Sequence, residues 1–79
     1  MTDFEFTALS EEDKVEILST SVFIALNNDV FAILFLVDGF FVEAFYDINQ
    51  SLLTTITFSS TAILPKKYLD MIILDDLLR

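Results

Sequence analysis

Cysteine and histidine are absent from this 79-residue chain, and glycine and proline occur once each. Without a thiol or an imidazole there is no thiolate nucleophile, no imidazole base and no zinc-finger or haem-thiolate ligand set. A single glycine cannot build a glycine-rich phosphate cradle or a dinucleotide fingerprint. Small secreted domains usually rely on disulfides, so their absence points to a reducing, cytoplasmic compartment. Bases are scarce too: four against 13 acids, a formal charge of −9. Such a surface repels nucleic-acid phosphates, and direct DNA or RNA binding is not expected.

No hydrophobic run is long. Residues 30–37 form the greasiest stretch, eight residues stopped by Asp38, where a spanning helix needs ~20. The opening Met1-Thr2-Asp3-Phe4-Glu5 has neither the basic nor the apolar region of a secretory signal. What the chain does have is 54% hydrophobic residues, nine of them phenylalanine. That composition packs rather than staying disordered. The length suits one domain over residues 1–79, with residues 1–8 as a loosely held lead-in.

The order of elements follows from local signals. Ser10 before Glu11, Glu12 and Asp13 is a helix start, a hydroxyl cap ahead of acids that favour the positive end of the dipole. The helix should run to Leu18 or Ser19 and bury Val15, Leu18 and Ile17. Four β-branched and aromatic runs follow, at residues 22–26, 30–37, 40–46 and 52–58. Asn27-Asn28-Asp29, Asp38-Gly39 and residues 47–51 separate them. Connections this short demand antiparallel neighbours, and Asp-Gly is a strong hairpin signal. Pro65 then opens a second helical pattern with Leu64, Tyr68, Leu69 and Ile72. The expected fold is α+β: an N-terminal helix, a four-stranded antiparallel meander and a C-terminal helix.

Parity assigns faces. A two-residue turn at Asp38-Gly39 pairs Val37 with Phe40, Phe35 with Val42 and Ile33 with Ala44. Extending the register across the next loop sets Val42 against Ile56 and Phe40 against Phe58. The spacing then predicts both helices on the face carrying Ile33, Phe35, Val42 and Ile56. The opposite face carries Leu34, Leu36, Phe41, Phe45, Leu53 and Thr55, with Glu43 among them and Thr55 as its nearest partner. An apolar row left uncovered usually marks an interface. These six residues are therefore the candidate binding surface, for a protein partner or for a second copy in a homodimer.

Three smaller patterns have plain readings. Asp47-x-Asn49-x-Ser51 opens like a calcium loop, but Leu52 stands where the glycine belongs and Phe58 where the closing glutamate belongs. It reads as a polar turn. Glu43 and Asp47 are spaced to share acid–base work on one strand, yet nothing adjacent supplies a positioned donor. Lys66-Lys67 reads as a solvated basic spot. No cofactor, metal or catalytic residue is expected.

The run Phe40-Phe41-Val42-Glu43-Ala44-Phe45-Tyr46, followed by Tyr68-Leu69-Asp70-x-Ile72, resembles a family of short uncharacterised bacterial proteins. In them an aromatic-aromatic-Val-Glu-x-x-Tyr strand precedes a Tyr-Leu-x-x-Ile segment. The likeness spans about residues 10–78, although Lys67 stands where that family commonly has proline. It implies the same fold and adds nothing on mechanism. The functional expectation is a small acidic protein-interaction or self-associating module with no enzymatic activity. Its alternatives are a nucleic-acid mimic that inhibits a basic protein, and a carboxylate-based enzyme.

Overall fold

A computed structural model describes residues 1–28, 30–59, 64–66, 68 and 69. It contains α1 (Asp3–Thr7), α2 (Glu11–Ser19), β1 (Val22–Asn27), β2 (Ala32–Val37), β3 (Phe40–Tyr46) and β4 (Leu52–Phe58). The strands form one antiparallel sheet in the order β1-β2-β3-β4, the meander the short turns require. Pro65 accepts backbone hydrogen bonds from Tyr68 and Leu69, a single helical turn. The rest of the expected C-terminal helix, from Asp70 onward, lies outside the described residues, as does Lys67.

Residues 1–8 are not a loose lead-in. Thr2 accepts from the Glu5 amide, and the Glu5 carboxylate accepts from the Thr2 amide, a reciprocal capping box that starts α1. The short helix carries Phe6 into the core, its ring centroid 6.0 Å from that of Phe40. The phenylalanine supplies the burial that five residues of helix propensity cannot. α2 begins where the sequence places it, with the Ser10 hydroxyl accepting from the Asp13 amide at 3.2 Å. Its inner stripe is Lys14, Ile17 and Leu18, spaced i, i+3, i+4, with the Lys14 ammonium 5.9 Å above the Phe6 ring. Val15 lies off that stripe and is exposed, contrary to the expected burial.

Asp38 and Gly39 both have positive φ, +45° and +88°, the signature of a type I′ turn. The β2–β3 register is the expected one, Val37 to Phe40, Phe35 to Val42 and Ile33 to Ala44. The β3–β4 register is not. Tyr46 pairs with Leu52 but Phe45 with Thr54, so Leu53 is an extra residue in the strand. One inserted residue reverses facing for everything after it. Val42 therefore meets Thr57, and Glu43 meets Ile56. A second irregularity at Ile24 puts Phe23 opposite Phe35 and Ala25 opposite Leu34.

The helical segments divide between the two faces. α1 and α2 cover Val37, Phe40, Val42, Ala44 and Leu52. On the other face Leu64 and Tyr68 pack over Ala25 and Leu34, with Phe41, Phe58 and Leu69 around them. This corrects the expectation that both segments share one side. The bulge explains it: with Phe58 turned to the Glu43 face, that face is apolar enough to need its own cover.

Candidate functional site

The six residues singled out by parity do not form an open surface. Leu34 is fully buried beneath Tyr68, and Leu36, Phe41 and Phe45 are half-buried. Thr55 is opposite Ala44, on the α1–α2 face. Leu53 is exposed because it is the bulged residue, and it stands apart from the rest.

Glu43 is the one buried charged residue among those described, 6% exposed at the centre of the Ala25–Leu34–Glu43–Ile56 row. Thr55 cannot serve it from the opposite face. Its partner is the Tyr68 hydroxyl, which donates to Oε2 at 2.7 Å. The Asn27 side chain lies beside the same hydroxyl. Burial first, then the Glu43 hydrogen bond and charge, push the Tyr68 hydroxyl far above the usual phenol range, against a lowering contribution from Asn27. This cluster fastens the covering segment to the sheet. It has no access for a substrate, since Tyr68 is fully buried. Nor does Glu43 share a site with Asp47, which lies in the β3–β4 turn.

Asp47 organises that turn. Its Oδ1 accepts from the amides of Asn49 and Ser51, both at 2.9 Å, and its own amide donates to the Ser51 carbonyl at 3.0 Å. The carboxylate does the work of a polar turn residue, in place of the calcium-loop reading.

The open apolar surface is elsewhere. α1 and α2 leave the β1 side of their own face bare, and there a groove of about 510 Å³ is lined by Leu26, Phe31, Ile33, Tyr46, Asp47, Ile48 and Gln50. Phe31 is 62% exposed and Ile48 is 86% exposed. Burial raises the Tyr46 hydroxyl above its usual range. Phe31 has φ +49°, a left-handed conformation that is uncommon for a bulky residue and costs about 1–3 kcal/mol. In that conformation its carbonyl accepts from the Tyr46 amide at 3.0 Å, extending the β2–β3 ladder by one bond. The same bond ties the two walls of the groove together.

Sequence reasoning missed this groove because its residues are spread over two turns and the ends of three strands. One signal was legible: Ile48 is a lone aliphatic in the polar turn Asp47-Ile48-Asn49-Gln50-Ser51. No family model, curated protein or solved structure matches the chain. The likeness drawn from the strand and C-terminal motifs is thus an expectation from sequence alone. No described helix is long and apolar enough to cross a membrane.

Proposed function

We propose that the protein is a protein-interaction module without catalytic activity, acting in a reducing intracellular compartment, and that it binds through the bare half of the α1–α2 sheet face. The observation that carries this reading is the exposure of Leu26, Phe31 and Ile48 around one groove. Large apolar side chains gathered in a concavity are costly to leave in water and are the usual core of a binding patch. The lack of cysteine supports the compartment. The test compares wild type with Phe31→Ser/Ile48→Ser, both kept folded by circular dichroism. Light scattering reports self-association, and affinity capture from the native host reports other proteins. Binding of either kind should be lost in the variant. If the two proteins are monomeric and capture the same set, the groove is not the binding surface.

A further inference from the structure

The groove is apolar along its floor and acidic at one rim. Leu26, Phe31, Ile33 and Ile48 supply the apolar part, and Asp47 stands beside them. Oδ1 of Asp47 is taken by two backbone amides of its own turn. Among the described residues, Oδ2 has no hydrogen-bond partner and no base lines the groove. Asp47 is half-buried, so its charge is screened less than that of a surface acid. The whole chain carries −9, which draws a cationic partner toward it and repels a second copy.

We infer that the groove receives a basic side chain of a partner protein, a lysine or arginine presented among apolar neighbours. This rests on the reading of the chain as an interaction module and names the chemistry of its partner. The physical match is to the two-part nature of such side chains. An aliphatic stem of three or four methylenes lies over Leu26, Phe31 and Ile33, while the charged head reaches Asp47 Oδ2. The Phe31 and Tyr46 rings add faces toward which a cation is attracted. A purely apolar segment satisfies only the floor of the groove, and an acidic one is repelled by Asp47. A second copy brings nine net negative charges and few bases, Lys14 and Lys66 among the described residues.

The test uses three acetylated, amidated hexapeptides that alternate leucine with arginine, glutamine or glutamate. They are titrated into isotopically labelled full-length protein by NMR. The arginine peptide should shift the signals of Leu26, Phe31, Ile33, Tyr46 and Asp47, and bind at least about twofold to fivefold more tightly than the glutamine peptide, the factor one ion pair supplies. Asp47→Asn keeps an oxygen for the turn amides while removing the charge. It should bring the arginine peptide down to the glutamine level without changing the fold. Phe31→Ala should weaken both peptides. Added salt should weaken the arginine peptide alone.

Equal affinity for arginine and glutamine peptides overturns the inference. So do shifts that scatter over the acids of α1 and α2 and survive Asp47→Asn. A wild-type dimer whose contact is lost in Phe31→Ala overturns it as well, because the groove is then occupied by a second copy. In each of these cases the broader reading is judged separately, by whether Phe31→Ser/Ile48→Ser abolishes self-association or capture.

Discussion

Replacing Tyr68 with phenylalanine removes one oxygen and nothing else, and it should be among the most damaging single-atom changes the chain can suffer. The hydroxyl donates to Glu43 Oε2 at 2.7 Å, and both residues are buried, 0% and 6% exposed. Glu43 lies between Leu34 and Ile56 on the neighbouring strands, neither of which can donate. A hydrogen bond to a charged acceptor contributes about 1.5–3 kcal/mol, and leaving the acceptor unmet costs its full desolvation. Tyr68→Phe should therefore destabilise by about 2–3 kcal/mol, against a total of roughly 5–15 kcal/mol for a small domain. Each kcal/mol moves the melting temperature of a chain this size by about 4–8 °C.

A double-mutant cycle separates that bond from packing. Glu43→Leu leaves the Tyr68 hydroxyl with Asn27 and should cost less, about 1 kcal/mol. In Glu43→Leu/Tyr68→Phe both ends of the bond are gone, so the loss should fall short of the sum by more than ~1 kcal/mol. Urea titrations followed by far-ultraviolet circular dichroism give the four stabilities, provided the slopes agree. Additivity within about 0.5 kcal/mol would refute the reasoning. It would mean that the hydroxyl does not serve Glu43, and that Tyr68 holds its segment down by ring burial alone.

Other consequences are simpler to state. The folded-state pKa of Tyr68 is raised above its ordinary value of 10.0, so the associated stability is intact below about pH 10 and drains away as pH rises further. Urea midpoints should drop above that pH in wild type and drop less in Tyr68→Phe, where Tyr46, raised by burial alone, is the remaining tyrosine. Ser10→Ala removes the cap on the Asp13 amide and should cost about 1 kcal/mol by thermal melting. Gly39→Ala meets no atom within 4 Å but must hold φ +88°, so its cost, about 1–2 kcal/mol, is purely backbone. Calcium at millimolar concentration should leave the melting temperature unchanged, because Asp47 Oδ1 already serves two amides; a rise of several degrees would restore the metal reading.

The α+β class, the strand order and the β2–β3 register were legible because they rest on local chemistry. Asp38-Gly39 dictates a two-residue turn, and the turn dictates which residues pair. The β3–β4 register was not legible. Residues 47–51 are compatible with an even or an odd offset, and choosing between them requires the tertiary gain from burying Phe58. α1 was hidden for a related reason. Thr2 and Glu5 form a capping box readable in the sequence, but five residues make a helix only when something like Phe6 is buried by it. The candidate surface failed on the same point. Leu34, Leu36, Phe41 and Phe45 do share a face with Glu43, yet that face has its own cover.

The single extra residue at Leu53 thus decides more than a strand pairing. Had β4 run without it, Thr55 would stand beside Glu43 as a neighbouring hydroxyl, and Ile56 and Phe58 would fall under α1 and α2. With it, Thr55 and Thr57 face the helices and Glu43 is walled by Leu34 and Ile56. A carboxylate in that position needs a donor from above the sheet, which restricts what the covering segment may carry. Tyr68 meets the demand with one side chain, its ring sealing the apolar row and its hydroxyl reaching the acid. Leu64 and Tyr68 are then committed to the Glu43 face. α1 and α2 cover only part of the opposite one, where Leu26, Phe31 and Ile48 remain exposed. The bare groove is thus the counterpart of the buried glutamate. Leu64 and Tyr68, which satisfy one face, are withheld from the other.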